Sequence, residues 1–109
     1  MLLVDGRSVA PVEIARSHSS RRHGLLKRDG LDGAYWLLPC RHVHTIGMRF
    51  TIDVALLDRD GLVLHTQTMR PGRFSSVRLR CRSVLEAEGG AFAEWGLRPG
   101  SAVTVLDGG

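Results

Sequence analysis

Hydrophobic and polar residues alternate with a period of two along most of the chain, and glycine interrupts the pattern at short intervals. A period of two is typical of β-strands, because successive side chains of a strand point to opposite faces of a sheet. The pattern predicts strands over residues 2–4, 9–15, 34–39, 50–57, 62–69, 77–81, 84–87 and 102–106. Asp5-Gly6 and the segment 58–61 (Asp-Arg-Asp-Gly) have the composition of tight turns and predict two hairpins.

Two segments depart from the strand pattern. Residues 19–28 begin with serines that can cap a helix, and Leu25 and Leu26 supply an apolar side. Residues 91–95 predict a single helical turn. Many short strands, close turns and one or two short helices predict a mainly β fold. We expect a compact antiparallel sandwich or barrel-like domain that covers residues 1–109.

Length and composition fit a globular domain that folds around its own hydrophobic core. A chain of 109 residues with 43% hydrophobic residues can bury a core without a metal or a disulfide. The net charge of +4 and the pI near 10 suggest acidic partners, but all basic residues except Lys27 are arginine, which also fits a GC-rich genome. There is no secretory signal and no apolar run near the roughly 20 residues that span a membrane. A cytoplasmic protein with reduced Cys40 and Cys81 and no membrane partner is expected.

The segment 39–53 (PCRHVHTIGMRFTID) concentrates the chemically active side chains. On a strand, Cys40, His42 and His44 would face one side. Two imidazoles spaced in this way can bind one Zn²⁺, with His65, Cys81 or His23 as further ligands. A strand rises ~3.3 Å per residue, so Cys40 and His44 are too far apart to share an ion. The alternatives are thiol chemistry at Cys40, and a structural strand, which we favour.

Two carboxylates interrupt apolar segments. Asp53 and Glu86 lie among hydrophobic residues, where a charge has to be paired or hydrogen-bonded. Arg21 and Arg28 of the predicted helix are the candidate partners. A structural ion pair between helix and sheet is the favoured interpretation, and a ligand pocket that uses the same charges is the alternative.

The segment 70–82 is rich in arginine. On a strand over 77–81, Arg78, Arg80 and Arg82 would share one face and could contact phosphates. Only 6% of the residues are aromatic, and neither an RNA-recognition nor a helix-turn-helix signature is present. A solvated strand face is therefore favoured over a nucleic-acid contact.

Several motifs in order resemble one family. The opening motif Ala15-x-Ser17-x3-Arg21-x2-Gly24-Leu25-Leu26-x-Arg28-x2-Leu31, the segment 43–53, Val84-Leu85-Glu86 and Gly96-Leu97-x-x-Gly100 are together similar to the domain-of-unknown-function 192 family. The resemblance runs from about residue 15 to 105. It implies a small sandwich-type β fold and no assigned activity. The chain departs from the family pattern at Ser17, Leu26, Thr51 and Ser101, and at His44-Thr45, where other members have Trp-Met.

Together these observations predict a non-enzymatic module that binds a small ligand or a partner protein near residues 40–53. The candidate binding residues are Cys40, His42, His44, Asp53, Glu86 and Arg21. The alternatives are a metal- or thiol-dependent enzyme that uses Cys40, His42 and His44, and a basic nucleic-acid-binding domain. No cofactor is expected, and Zn²⁺ on His42 and His44 belongs to the enzyme alternative.

Overall fold

The computed structural model describes residues 1–16 and 28–106. These residues form eight strands and one short helix. In chain order they are β1 (Leu2–Val4), β2 (Arg7–Ala10), β3 (Val12–Ala15), β4 (Ala34–Leu37), β5 (Ile52–Leu57), β6 (Val63–Met69), β7 (Ser83–Glu88), α1 (Ala91–Trp95) and β8 (Val103–Val105). The predicted mainly β single domain is confirmed.

The strands form two sheets. A three-stranded antiparallel sheet has the order β2-β1-β8, and a five-stranded sheet has the order β3-β4-β7-β5-β6. All neighbours in the larger sheet are antiparallel except β3 and β4, which run parallel. The predicted first hairpin joins β1 to β2. Asp5 and Gly6 both have positive φ (51° and 83°), as a hairpin turn of two residues requires.

Pro11 divides the strand that was predicted over residues 9–15. One strand with Pro11 at an edge or bulge was expected there. The structure instead has β2 and β3 in different sheets, so the single strand is wrong, although both are edge strands of their sheets. Proline has no N–H to donate to a sheet and interrupts the pairing of a strand. The carbonyl of Pro11 accepts a hydrogen bond from Ala34 N at 2.9 Å, where the pairing of β3 with β4 begins.

The second predicted hairpin, β5–β6, is confirmed. Asp58 Oδ1 accepts hydrogen bonds from the amides of Asp60 and Leu62, both at 2.9 Å, and closes the turn. Gly61 has a φ of +83°, and a Cβ on this residue would lie 2.5 Å from the Val103 carbonyl oxygen. Glycine is therefore required where the hairpin meets β8.

The five-stranded sheet is covered on both faces. Residues of β1, β2, β8 and α1 pack on one face and form a core with Ala55, Leu57, Leu85 and Ala87. The other face packs under irregular segments that contribute Cys40, Val43, Met48 and Cys81. Strand β5 is buried along its whole length, which fits its apolar sequence.

Two segments that were considered as strands are irregular in the structure, and one predicted helix falls largely outside the described residues. Residues 77–81 are irregular and include a turn closed by Cys81 N and the Arg78 carbonyl at 3.0 Å, so the predicted strand there is wrong. Residues 40–44 are irregular as well, apart from one bridge between His44 and Phe74. The predicted helix over 19–28 lies outside the described residues except for Arg28, which is irregular.

Candidate functional site

Two irregular segments lie side by side on the five-stranded sheet. Backbone hydrogen bonds join Cys40 N to the Arg82 carbonyl at 2.9 Å, Ser75 N to the Val43 carbonyl at 2.9 Å and Thr45 N to the Arg73 carbonyl at 2.8 Å. The segments 41–49 and 70–82 thus form a continuous layer. We call their exposed residues the loop surface.

Thr45 connects the two segments from inside. Its side chain is fully buried. Its hydroxyl donates to the Arg70 carbonyl at 2.6 Å and accepts from Arg73 N at 2.9 Å, while its carbonyl accepts from Gly72 N at 2.9 Å. Because one residue satisfies polar groups at both ends of the turn 70–73, it fixes the position of that turn.

Large apolar side chains are exposed on the loop surface. Phe74 is 69% exposed, Val77 62%, Leu79 89% and Ile46 50%. The ring of His44 packs against Phe74 with centroids 5.8 Å apart and an angle of 56° between the planes. Single exposed apolar residues are common, but several on adjoining segments are typical of an interaction site.

The loop surface is also strongly basic. No acidic residue occurs between Asp32 and Asp53 or between Asp60 and Glu86 in the sequence. Half of the chain's arginines lie in these two intervals: Arg41, Arg49, Arg70, Arg73, Arg78, Arg80 and Arg82. Within residues 1–16 and 28–106, the ion pair formed by these arginines is Arg49 with Asp29 at 3.6 Å. The other six guanidiniums have no carboxylate partner in that part of the chain.

Two of these arginines are held in place by neighbouring groups. Arg82 donates from one nitrogen to the carbonyls of Leu79 and Cys81, both at 2.9 Å. Arg78 lies 3.2 Å from His65 Nδ1. Since a guanidinium can only donate, Nδ1 accepts, and the neutral imidazole carries its proton on Nε2. Burial first, and then the Arg78 charge, lower the pKa of His65.

Cys40, His42 and His44 do not share a face, because their segment is not a strand. Cys40 is buried and its thiol donates to the His42 carbonyl at 3.2 Å. His42 is exposed, and His44 is half-buried with Nδ1 accepting from Ile46 N at 3.2 Å. Cys81 is buried nearby, and burial raises the pKa of its thiol, so the reactive thiolate is disfavoured there.

Asp53 and Glu86 are separated by the sheet. In the pairing of β5 with β7, Asp53 lies opposite Ala87 and Val54 lies opposite Glu86, so the two carboxylates point to opposite faces. Glu86 is fully buried on the face beneath the loop surface. Arg21, the other predicted binding residue, lies outside the described residues.

Asp53 has three hydrogen-bond donors. Thr68 Oγ1 donates to Oδ1 at 2.8 Å, and the amides of Gly90 and Phe92 donate to Oδ2 at 3.0 and 3.1 Å. The carboxylate therefore connects β5, β6 and the start of α1. An arginine partner was expected for Asp53. In the part of the chain that the structure describes, a hydroxyl and two backbone amides take that place, so this expectation is corrected.

Arg28, the second predicted partner of the carboxylates, lies beside Tyr35. Its guanidinium carbon is 5.4 Å from the centre of the Tyr35 ring. Burial, followed by the nearby Glu13 carboxylate, raises the pKa of Tyr35. A cavity of about 200 Å³ opens here, and a larger depression of about 440 Å³ lies on the other face, over Asp53 and Phe92.

Metal ligands are dispersed in the described part of the chain. No three His, Cys, Asp or Glu side chains of residues 1–16 and 28–106 come close enough to bind one ion. A Zn²⁺ ion on His42 and His44 would need ligands from elsewhere, so this hypothesis stays a prediction.

The sequence reasoning missed the exposed apolar residues of the loop surface and the buried threonine that holds its two segments together. Thr45, Ile46, Phe74, Val77 and Leu79 were not among the candidates. The signal that could have found the surface is the absence of Asp and Glu from residues 33–52 and 61–85, two intervals that fold against each other.

The domain-of-unknown-function 192 (DUF192) family, described as “Uncharacterized ACR”, matches residues 2–105. The chain belongs to this family. The match confirms the resemblance and extends it to the N-terminal strands.

Solved structures share the fold. A protein of unknown function from Novosphingobium aromaticivorans DSM 12444 has a TM-score of 0.79 and 23% identity, with coverage of 95% of this chain and 83% of that one. A “putative transcription regulator” from Sinorhizobium meliloti 1021 has a TM-score of 0.73 and 20% identity, with coverage of 85% and 79%. No curated protein matches the chain. In the described residues, no helix has the length and apolar character to cross a membrane.

Proposed function

We propose that this DUF192 member is a non-catalytic, cytoplasmic protein-binding module whose binding face is the loop surface. The observation that carries the proposal is the exposure of Ile46, Phe74, Val77 and Leu79 on two segments that are hydrogen-bonded to each other. Burying apolar area contributes about 25 cal/mol per Å². A partner that covers these side chains therefore makes the free energy of binding more favourable.

The rigidity of the surface supports the same function. The buried Thr45 hydroxyl and the bonds from Val43 to Ser75 hold the segments in place before any partner arrives. A preformed surface loses less conformational entropy on binding than a flexible loop does. The apolar side chains can therefore contribute most of their burial to affinity.

Two observations favour binding over catalysis. Cys40 and Cys81 are both buried, and burial raises the pKa of Cys81, which disfavours a nucleophilic thiolate. Asp53 accepts three hydrogen bonds within the fold. A carboxylate held in this way has a structural role that needs no substrate.

Selection of peptides from a display library tests the proposal. Random dodecapeptides are selected on the immobilised protein, and the enriched peptides are measured against a Phe74→Ser/Leu79→Ser variant. Both side chains are exposed, so the variant should remain folded by circular dichroism. Ile14→Ser is the matched control, because Ile14 is an exposed apolar residue of the edge strand β3 and lies opposite Trp36, which packs on the face away from the loop surface.

We expect enriched peptides to bind wild type and the control alike and to lose at least about tenfold in affinity on the double variant, the range of an interface hot spot. Failure to enrich any peptide, or equal binding to all three proteins, would contradict the proposed function.

A further inference from the structure

We infer that the partner of the loop surface presents an acidic segment, whose carboxylates meet the arginines that lie on the same segments as the exposed apolar residues. This inference rests on the proposed function and adds the chemistry of the partner. The six arginines concerned are Arg41, Arg70, Arg73, Arg78, Arg80 and Arg82.

The first argument is uncompensated charge. These six guanidiniums lie in stretches of sequence without acidic residues, and in the described part of the chain none forms an ion pair. At one edge, Asp58 and Asp60 line a depression of about 280 Å³ together with Arg80 and Arg82. Positive charges gathered on one layer raise each other's energy, and a partner with carboxylates relieves that repulsion.

The second argument is the order of the side chains. Arginine and apolar residues alternate over Val77-Arg78-Leu79-Arg80, and all four are exposed. A partner segment that carries both acidic and apolar residues satisfies both sets. Phosphates of a nucleic acid would satisfy only the arginines and leave Val77 and Leu79 in contact with water. The pattern therefore favours a protein over a nucleic acid.

The third argument is preorganisation. The Leu79 and Cys81 carbonyls hold Arg82, and the Val77 carbonyl and His65 hold Arg78. Each guanidinium has five N–H donors, so both keep donors that are not used within the protein. Arginines that are already ordered lose little entropy when they bind a carboxylate with two parallel hydrogen bonds.

Selection from two matched libraries tests the inference. One peptide library contains Asp and Glu, and the second replaces them with Asn and Gln. We expect binders from the first library only. Equally tight binders from the second would overturn the inference and leave the proposed function standing. Binders from neither library would remove the proposed function itself, so the two failures are distinguishable.

Single substitutions then identify which arginines contribute to binding of the acidic peptide. Arg73→Gln and Arg80→Gln should each weaken binding of a selected acidic peptide about two- to fivefold at low salt, the range of exposed ion pairs. The effect should shrink as the ionic strength rises. Arg98→Gln is the matched control, since Arg98 is exposed in the segment between α1 and β8. Equal loss on the control, or no loss on either test variant, would overturn the inference.

Two other anionic probes test whether the partner is instead a nucleic acid or a lipid surface. Polyuridylate and vesicles that contain phosphatidylserine are measured against wild type and the Phe74→Ser/Leu79→Ser variant. Binding of either probe more tightly than the best acidic peptide would overturn the inference in favour of a nucleic acid or a lipid surface. Weaker binding supports it.

Discussion

Asp53 and Glu86 are buried in adjacent strands and point to opposite faces of the five-stranded sheet. Asp53 belongs to the side where α1 and the three-stranded sheet pack, and Glu86 to the side beneath the loop surface. The two carboxylates therefore have separate environments.

Asp53→Asn should destabilise the protein by about 2–3 kcal/mol. The amide keeps one acceptor oxygen where the carboxylate has two, and hydrogen bonds to a charged group contribute about 1.5–3 kcal/mol. Urea denaturation followed by circular dichroism measures the change. Asp60→Asn is the control, because Asp60 is exposed in a turn. A neutral or stabilised Asp53→Asn would contradict the structural role and make Asp53 a candidate ligand-binding residue.

Thr45→Val should cost about 2–3 kcal/mol, because valine has a similar shape but leaves the Arg70 carbonyl and Arg73 N without the hydroxyl. Thr45→Ser keeps the hydroxyl and should cost less than half as much. Thermal melts of both variants measure the difference. If both variants melt alike, the hydroxyl does not hold the segment 70–73.

His65 should make the protein less stable in mild acid. Its pKa is lowered from 6.5 by burial and by Arg78, so the unfolded state takes up the proton first as the pH falls. The stability that neutral His65 contributes is full above pH 6.5 and is lost as the pH falls through the lower pKa of the folded state. Relative to wild type, His65→Asn should gain melting temperature below pH 6.5. A difference that is constant with pH would contradict this.

Cys40 and Cys81 should resist thiol reagents in the folded protein. Both are buried and the pKa of Cys81 is raised by burial. Reaction with Ellman's reagent should be slow without denaturant and rapid, with two thiols per chain, in guanidinium chloride. Rapid reaction of one thiol in the native protein would instead support chemistry at Cys40.

The zinc hypothesis for His42 and His44 has its own test. Protein purified without an affinity tag should contain less than about 0.1 equivalent of zinc and show no thermal shift with added Zn²⁺. A ligand at 100 times its Kd adds about 2.7 kcal/mol, which a melt detects readily. Stoichiometric zinc that is lost in His42→Ala/His44→Ala would establish the site.

Periodicity predicted most of the strands and both hairpins, because these elements depend on residues that are adjacent in the sequence. Turn residues at Asp5-Gly6 and at 58–61 specified both hairpins, and the apolar run that became β5 predicted a buried strand. Alternation failed over 77–81. Arg78, Arg80, Val77 and Leu79 do alternate, but no strand of residues 1–16 and 28–106 pairs with this segment, which turns instead.

The site was harder to predict, because it depends on which distant segments meet. Cys40, His42 and His44 were candidates because their side chains are reactive or can bind metals. In the structure their segment is irregular, and the three side chains lie in different environments. Phe74 and Leu79 have side chains without special chemistry. Only their exposure, which the fold decides, distinguishes them from core residues.

The three-stranded sheet has a consequence for folding during synthesis. Its central strand, β1, lies between β2 and β8, so the first strand of the chain is completed by the last. β1 can pair with β8 only after residues 103–105 have left the ribosome. This layer thus forms only after residues 2–105 have been translated, and a contact between segments so far apart in the sequence slows folding.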